Sequence, residues 1–311
     1  NIVNVDRGAY ERRLPVPDIN GIVYVDSSKA NNEGDGSSWA NAASELADAL
    51  KAAKTDNAIK EVWVAKGTYI PLYRADDNGT SFACSLTDRD NTFRIQPNVK
   101  VYGGFAGGET DTTGRDLIIN ETVLSGDIGI IGTHADNAYH VAFAAGNVGS
   151  AAIDGFTITR GNANVNLNYN IDGNLVYRSK GGGMQLISAS PLLSQCNLKY
   201  NYALQDGGAM YLNNSNANVK NSAFVLNEAD DKGAAVTAEY SPALFSDNLF
   251  SENKVLNAVG LQGGGAIYGY ESGMTFRKCN FISNLVLGSG QGGGMYLLGN
   301  PKTTISACMS S

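Results

Sequence analysis

Apolar and polar side chains alternate along the second half of the chain, and the alternating segments recur with two signatures. The first places an apolar stretch after glycines, as in GGGMQL (181–186), GGAMYL (207–212), KGAAVTA (232–238), GGGAIYG (263–269) and GGGMYLL (292–298). The second ends an apolar stretch with asparagine, as in CNLKYN (196–201), SAFVLN (222–227), NLFSEN (248–253) and CNFISN (279–284). Strict alternation predicts short β-strands, and recurrence at a fixed interval predicts a repeat architecture.

The two signatures keep a common register. In both signatures, equivalent residues of the first three copies are 26 residues apart, and those of the third and fourth copies are 31 residues apart. One five-residue insertion between Asn253 and Gly263 explains both longer intervals. The apolar residues after the glycines are Met184, Met210, Val236, Ile267 and Met295. Two further columns keep the same spacing: Leu193, Val219, Phe245, Phe276 and Ile305, and Cys196, Ser222, Asn248, Cys279 and Cys308. Sets of residues that keep the same spacing across an insertion are predicted to occupy equivalent, stacked positions in successive copies.

A repeat of this size cannot bury its own apolar face, so the copies must stack as successive coils. Strands in successive coils would pair in parallel, and parallel crossovers are almost always right-handed. The odd offset between Val219 and Ser222 predicts a corner between them, and the glycines predict another corner. The expected fold is therefore an all-β, right-handed parallel β-helix (a solenoid) with an N-terminal capping α-helix.

The closing asparagines occupy one position of the repeat. They are Asn201, Asn227, Asn253 and Asn284. An inward-facing amide can bond the backbone at a corner and the next amide above it, which predicts a structural ladder. The alternative is a row of solvent-facing turn asparagines; the repeated position favours the ladder.

The paired tetrapeptides resemble those of a known family. FVLN (224–227), FSEN (250–253) and FISN (281–284) fit F-x-x-N, while GGAM (207–210) and GGAI (264–267) fit G-G-A followed by an apolar residue. These motifs are similar to the repeats of the polymorphic outer-membrane proteins, a family of bacterial surface adhesins. LKYN (198–201) and GAAV (233–236) depart from the two patterns. The resemblance covers about the C-terminal two-fifths of the chain and implies an adhesin-like surface protein.

The N-terminal half divides less regularly. Residues 1–18 are expected to be the tail of a preceding segment, or a cross-packing strand, followed by a linker at Pro15 and Pro17. Residues 19–311 are expected to form one β-helix domain, with a cap (19–70), irregular coils (71–180) and regular repeats (181–311). Within the cap we predict strands at 22–25 and 61–65 and a helix at 39–54. This opening resembles that of extracellular, pectin-lyase-like β-helix proteins; residues 163–180 are expected to form a side loop.

Composition narrows the partners and the compartment. The net charge is −7, the isoelectric point is about 4.9 and only 17% of residues are charged, which argues against nucleic acid or an anionic membrane surface as partner. No run of about 20 apolar residues is present, so no membrane insertion of this chain is expected. The expected location is secreted or on the outer surface of a bacterium. Cys196, Cys279 and Cys308 are expected to be buried free thiols, with Cys84 in a loop.

Few residues suggest catalysis. Asp230, Asp231 and Lys232 replace glycines in one copy and offer a carboxylate pair beside a base, as glycoside hydrolysis or lyase chemistry requires. The alternative, a solvated polar turn, is favoured, and the same holds for Asp76, Asp77, Asp88 and Asp90. No metal site or cofactor is predicted; Ca²⁺ would enter only with lyase chemistry.

One outward column suggests binding. The positions after the inward apolar residues are Gln185, Tyr211, Thr237, Tyr268 and Tyr296. Stacked tyrosines make flat platforms for sugar rings or protein partners, so Tyr211, Tyr268 and Tyr296 are candidate ligand-binding residues. The alternative is cross-strand stacking that stabilises the sheet.

Three functions remain open at this point. The first is an adhesin-like surface module that binds an extracellular glycan or a cell-surface protein. The second is a polysaccharide lyase or glycoside hydrolase that acts on extracellular carbohydrate. The third is a spacer. An enzyme needs clustered acidic and basic residues on one outer face, and a binding module needs an aromatic or asparagine-rich face.

Overall fold

A computed structural model of the chain describes residues 14–29, 34–77, 86–260, 263–299 and 302–311. Residues 1–13 and Cys84 lie outside the described residues, and so do the expectations for them. The described N-terminal half contains one α-helix and short strands, in the order β1 (Ile22–Val25), α1 (Leu46–Thr55), β2 (Glu61–Ala65), β3 (Gly67–Tyr69), β4 (Phe93–Arg94), β5 (Lys100–Phe105), β6 (Thr122–Ser125), β7 (Ala142–Ala145), β8 (Ala152–Asp154), β9 (Thr157–Thr159) and β10 (Asn162–Ala163). Two 3₁₀ turns lie at Thr112–Gly114 and His134–Asp136.

In the rest of the described chain the regular secondary structure consists of strands. A hairpin is formed by β11 (Asn168–Ile171) and β12 (Asn174–Tyr177). The regular coils follow as β13 (Met184–Ile187), β14 (Leu192–Ser194), β15 (Asn197–Lys199), β16 (Tyr202–Ala203), β17 (Met210–Asn213), β18 (Asn218–Lys220), β19 (Ala223–Val225), β20 (Glu228–Ala229), β21 (Val236–Glu239), β22 (Leu244–Ser246), β23 (Leu249–Ser251), β24 (Lys254–Ala258), β25 (Ile267–Tyr270), β26 (Thr275–Arg277), β27 (Asn280–Ile282), β28 (Leu285–Gly288), β29 (Met295–Leu298), β30 (Thr304–Ser306) and β31 (Met309–Ser310).

Four parallel sheets run along the described part of the molecule, and each of the regular coils from β13 onward visits them in turn. Sheet 1 contains β4, β7, β13, β17, β21, β25 and β29, and sheet 2 contains β1, β2, β5, β8, β14, β18, β22, β26 and β30. Sheet 3 contains β3, β6, β9, β15, β19, β23, β27 and β31, and sheet 4 contains β10, β16, β20, β24 and β28. A chain that returns to the same four parallel sheets once per coil is a parallel β-helix.

The register of these sheets matches the columns of the sequence. Met184 pairs with Met210, which pairs with Val236, and the series continues through Ile267 to Met295. Phenylalanine rings stack inside the coils: Phe250 lies 4.9 Å from Phe224 and 4.7 Å from Phe281, between ring centroids. The interior is therefore a continuous apolar core with like residues on successive coils.

The corners of the coils hold three polar columns. At the corner between sheets 3 and 4, the Asn227 amide donates to the Asn253 Oδ1 (2.9 Å) and to the carbonyl oxygen of Leu198 (2.8 Å). Its own Oδ1 accepts from the backbone N–H and the side-chain amide of Asn201, both at 3.1 Å. Asn284 receives the equivalent bonds from Asn253. The four asparagines thus form one internal ladder.

The corner between sheets 2 and 3 follows the same plan. The chain turns at Asn221, which has a φ of 49°, and the next residue, Ser222, points inward. The Ser222 hydroxyl accepts from the backbone N–H of Cys196 (3.1 Å), and Asn248 accepts from that of Ser222 (2.9 Å). Cys196 and Cys279 are buried, Cys308 is half-buried and all three are free thiols. Burial raises the pKa of Cys196 to about 12.

A serine column at the corner between sheets 1 and 2 was not predicted. The Ser241 hydroxyl accepts from the backbone N–H of Ser215, and the Ser272 hydroxyl accepts from that of Ser241, both at 2.9 Å. Each serine follows a residue of positive φ, namely Asn214, Tyr240 and Glu271. Three corners of the coil therefore have the same local structure, in which a residue of positive φ is followed by a polar side chain that points inward.

The N-terminal helix is shorter than predicted. It begins at Leu46 instead of residue 39, because the preceding segment pairs with β1: the N–H of Ala43 donates to the carbonyl of Tyr24 at 3.0 Å. Trp39 lies outside the helix, packs on Tyr24 and Phe105 and donates its indole N–H to the Glu109 carbonyl. Leu46 and Leu50 still join the core beside β1 and β2, so α1 caps the coil.

The predicted side loop at 163–180 is instead an antiparallel hairpin. Asp172 and Gly173 both have positive φ, which is the geometry of a two-residue hairpin turn. Arg178, just after β12, donates two hydrogen bonds of 2.6 Å to Asp90. Ile171 and Val176 pack onto Phe143, Ile187 and Tyr211 of sheet 1. The hairpin therefore covers part of the outer surface of that sheet.

Candidate functional site

The predicted acidic and basic residues lie beside the corner between sheets 4 and 1. Lys180, Asp206 and Lys232 occupy equivalent positions on three successive coils. The Lys180 Nζ lies 2.7 Å from Asp206 Oδ2 and 3.5 Å from Glu239 Oε1, and the Lys232 Nζ lies 3.7 Å from Asp206 Oδ1. Lys232, one of the predicted candidates, is thus one of two cations around a buried carboxylate. We call these four residues the ion-pair cluster.

The ion-pair cluster is balanced in charge. Burial disfavours the Lys180 ammonium, but the carboxylates of Asp206 and Glu239 outweigh it and raise the pKa of Lys180. The Tyr211 hydroxyl donates to Glu239 Oε2 at 2.6 Å, so that carboxylate has a second partner. Two ammonium groups therefore pair with two carboxylates at this corner, and the buried Asp206 Oδ1 has the ion pair with Lys232 but no hydrogen bond from a described residue.

Asp230 and Asp231 have different surroundings. Asp230 accepts a hydrogen bond of 3.0 Å from the Tyr202 hydroxyl, so it is partnered within the fold. Burial, followed by the negative charge of Asp206, raises the pKa of Asp231. Asp231 is therefore the candidate carboxyl group whose protonated form its surroundings favour.

The prediction of an open tyrosine platform is wrong at Tyr211. Tyr211 is fully buried, because the hairpin packs over it and Tyr177 contacts its ring at 5.8 Å. Tyr268 is only 5% exposed, since it stacks on Tyr296 at 5.9 Å and has the Lys232 ammonium 5.2 Å from its ring centre. Tyr296 is half-buried, and a binding role for it stays a prediction.

An open, shallow concave surface lies elsewhere, along the outside of the corner between sheets 2 and 3. Its main part has a volume of ≈ 570 Å³ and contains Gln195, Asn197, Asn221, Ala223, Asp247, Leu249, Lys278 and Asn280. A second part of ≈ 290 Å³ shares Gln195 and Asn197 and ends at Leu117, Ile118 and Glu121. We call the whole surface the corner groove. It spans the coils from Thr157 to Asn280, about 19 Å for four strand spacings.

The corner groove owes its shape to left-handed residues. Gln195, Asn221, Asp247 and Lys278 all have φ between 49° and 56°, and each turns the chain inward between the two sheets. The inward polar column behind them, which includes Ser222 and Asn248, bonds the backbone of the neighbouring coil. The floor of the groove is therefore fixed by hydrogen bonds before any ligand arrives.

Several polar side chains in the corner groove have spare hydrogen-bonding capacity. The side chains of Asn221, Asp247 and Asn280 form no hydrogen bond with another described residue, and all three are at least partly exposed. The Asn197 Oδ1 is shielded from bulk water and has no partner among the described residues. Amides that can both donate and accept suit a ligand rich in hydroxyl groups.

Sequence reasoning did not find the corner groove. Its corner residues are Gln, Asn, Asp and Lys, which share a backbone conformation and no side-chain chemistry. The available signal was positional, because these residues immediately precede the column of Cys196, Ser222, Asn248 and Cys279. The corner predicted from the offset between Val219 and Ser222 is present at Asn221, but the prediction did not single out the side chains that line its outer edge.

His140 is a buried titratable group away from both surfaces. Its Nδ1 donates to the carbonyl oxygen of Gly181 (2.9 Å), while its Nε2 has no partner among the described residues. Complete burial lowers the pKa of His140 to about 4. The neutral imidazole is therefore the form that the fold accepts.

We expect His140 to make stability fall in mild acid. The unfolded chain gains a proton near pH 6.5 and the folded chain only near pH 4, so this residue lowers the free energy of unfolding across that window by about 3 kcal/mol. Below pH 4 it adds no further loss. His140→Asn retains a donor for Gly181 and should flatten this part of the profile in urea melts at stepped pH. His134→Asn, at the exposed histidine, is the control; equal slopes in wild type and His140→Asn would contradict the prediction.

Among the described residues, no three His, Cys, Asp or Glu side chains are grouped so that they could hold a metal ion. The described part of the chain contains no helix with the length and hydropathy needed to cross a lipid bilayer.

Comparison with known proteins gives the family. A search of curated proteins found no match. Two solved structures are similar to the chain: pectate lyase Pel9A, with 13% identity over 90% of this chain and 67% of its own and a TM-score of 0.45, and Escherichia coli YbhC, with 10% identity over 91% and 85% and a TM-score of 0.37. The model of the family described as right-handed beta helix region matches residues 130–309, more than half of the chain. The chain belongs to the right-handed β-helix family.

Proposed function

We propose that this protein is a secreted or surface-displayed, adhesin-like module that binds extracellular glycan chains without cleaving them. The observation that carries the proposal is the corner groove: a concave surface about 19 Å long with polar side chains that the fold leaves unpaired. The bacterial outer surface is the location we propose, in keeping with the acidic, weakly charged composition and the similarity of the repeats to surface adhesins.

Sugar hydroxyls need partners that donate and accept in several directions. The amides of Asn221 and Asn280 can do both, and they lie on the outer side of a fixed corner. Leu249 and Ala223 between them offer small apolar patches for the C–H faces of a sugar ring. A rigid floor limits the entropy lost on binding, which favours affinity from few contacts.

A peptide ligand fits the corner groove less well. Peptides that bind β-proteins in extended form usually add a strand to an open sheet edge. The strands behind this groove are interior: β18 pairs with β14 and β22, and β19 pairs with β15 and β23. No backbone edge is open there, and among the described residues that line the main part of the groove none is an aromatic anchor of the kind that dominates protein interfaces.

The test is binding to a panel of plant, host and bacterial polysaccharides, measured by calorimetry or on an array. Wild type should bind at least one member. The double variant Asn221→Gly/Asn280→Ala should bind that member at least about tenfold more weakly, since each lost hydrogen bond is worth about 1 kcal/mol. Glycine is chosen at position 221 because it tolerates the positive φ of that corner.

A matched control comes from another corner. Asn214 also has a positive φ (50°) and Asn216 is exposed, and both lie between sheets 1 and 2. Asn214→Gly/Asn216→Ala should therefore leave the affinity unchanged. A wild type that binds no member of the panel, or equal losses in the two double variants, would overturn the proposal.

Glycoside hydrolysis is the second candidate function, and Asp231 is the observation that favours it. Hydrolysis needs a carboxylic acid of raised pKa and a second carboxylate nearby, and Asp231 lies in the field of the Asp206 carboxylate. The same panel is assayed for new reducing ends and, with and without Ca²⁺, for unsaturated products. Turnover that Asp231→Asn abolishes would replace the binding proposal with an enzymatic one.

A further inference from the structure

The corner groove is closed at the end nearer the N-terminus. Gly103, Gly155 and Gln195 occupy the same corner position on three successive coils, because the strands that precede them pair in register. The Leu117 side chain covers Gly155: a Cβ on that glycine would come within 2.8 Å of Leu117 Cδ2, and one on Gly104 within 2.2 Å. Leu117 thus fills the space through which the groove would otherwise continue.

The loop that carries Leu117 is anchored on both sides. Before it, Arg115 donates to Asp154 Oδ1 (2.8 Å) and to the carbonyl oxygen of Gly103 (3.1 Å). After it, Glu121 Oε1 accepts from the Thr157 hydroxyl (2.7 Å). The Asp116 backbone N–H also donates to the carbonyl oxygen of Gly104 (3.0 Å). A loop pinned to two successive coils acts as a fixed wall.

The closed end presents hydrogen-bond acceptors. The second carboxylate oxygen of Glu121, Oε2, bonds to no described residue, and the side chain is half exposed. Asn197 lines the part of the groove that ends at Leu117, and its Oδ1, just beneath the surface, is likewise unpartnered among the described residues. Acceptors require donors from the ligand. The terminal sugar of a glycan has a free hydroxyl at the position where an internal sugar carries the glycosidic oxygen. A hydroxyl can donate a hydrogen bond and a glycosidic oxygen cannot, so the terminal sugar has one more donor than an internal sugar.

Resting on the glycan-binding function proposed above, we propose that the corner groove recognises the end of a glycan chain, with the terminal sugar against Leu117, Glu121 and Asn197. The rest of the chain then extends along the groove past Asn221 and Asp247 towards Lys278. An internal segment cannot bind in the same way, because it would have to pass through Leu117.

The test compares long and short chains of the polysaccharide that wild type binds in the panel. That polysaccharide is immobilised, and the competitor is either the intact chain or a partial hydrolysate shortened about tenfold, at equal mass. If ends are recognised, the hydrolysate inhibits about tenfold more strongly, because inhibition follows the concentration of chain ends. Leu117→Gly should reduce this ratio towards one by opening the wall. Ile131→Gly, in another exposed loop, should leave it unchanged.

Each outcome of this competition test bears on either end recognition or glycan binding. Equal inhibition by intact and shortened chains, with wild type still binding, overturns end recognition and leaves the glycan-binding proposal standing. An unchanged ratio in a Leu117→Gly protein that melts like wild type also overturns it. A wild type that binds no polysaccharide refutes the proposed function, and end recognition fails with it.

Discussion

Replacing Asn227 with leucine is expected to lower the free energy of unfolding by about 3–6 kcal/mol. The change removes the acceptor of the Asn201 backbone N–H and the donor to the Leu198 carbonyl, both in a fully buried corner. It also leaves Asn253 Oδ1 without one of its amide donors. Each buried group left unpaired costs about 1–3 kcal/mol, and leucine offers none of them a partner. Urea melts at pH 7, followed by circular dichroism, measure the loss.

The end of the same ladder provides the control for Asn227. Asn284 also bonds the coil before it, but it is only half-buried, so water can replace part of what is lost. Asn284→Leu should therefore cost clearly less than Asn227→Leu. A loss below about 1 kcal/mol for Asn227→Leu would show that the ladder contributes little net stability.

Truncation of Phe250 to alanine is the second large effect, with an expected loss of about 3–5 kcal/mol. The ring is fully buried and stacks face to face between Phe224 and Phe281, with interplanar angles of 15° and 7°. Removing it leaves a cavity in the middle of a column and removes two aromatic contacts, each worth about 0.5–1.5 kcal/mol beyond its buried area. The neighbouring coils cannot close this gap without breaking their register.

Ile282→Ala is the control for Phe250. Ile282 lies on β27 beside Phe281, but its side chain faces outward and is 41% exposed. Its truncation should change the free energy of unfolding by no more than about 0.5 kcal/mol. A near-zero loss for Phe250→Ala in the same urea melts would contradict the inward assignment of the phenylalanine column.

Most strands of the coil and their register could be predicted from the sequence because the coil repeats. The strands at Ile22–Val25 and Glu61–Ala65 have the predicted bounds, and the columns led by Met184 and Leu193 match the observed register. The serine column was also accessible, since Ser215, Ser241 and Ser272 keep the spacing of 26 and 31 residues. Ala189 breaks that column at its start, which hides it from a search for one residue type.

The outer surfaces could not be derived in the same way. Tyr211 is buried because the hairpin covers it, and the hairpin is held by the bond between Arg178 and Asp90, which are 88 residues apart. Asp206 was not singled out, although it lies between the two lysines of the ion-pair cluster. The contact between Arg178 and Asp90 leaves no periodic signal, whereas Lys180, Asp206 and Lys232 keep the 26-residue spacing and could have been found as a column. Periodicity therefore gives the interior of this fold, while long-range contacts decide which parts of its exterior stay open.

The 26-residue coil makes the length of this protein adjustable in discrete steps. A gene duplication that adds one whole coil would place every inward residue above an equivalent one and extend all three polar columns, together with the corner groove, by one strand spacing of about 4.8 Å. A duplication of any other size must place its extra residues outside the columns, as the five additional residues between Asn253 and Gly263 do. Variation in coil number would thus change the length of the corner groove, and with it the number of sugar units that the proposed binding surface could hold.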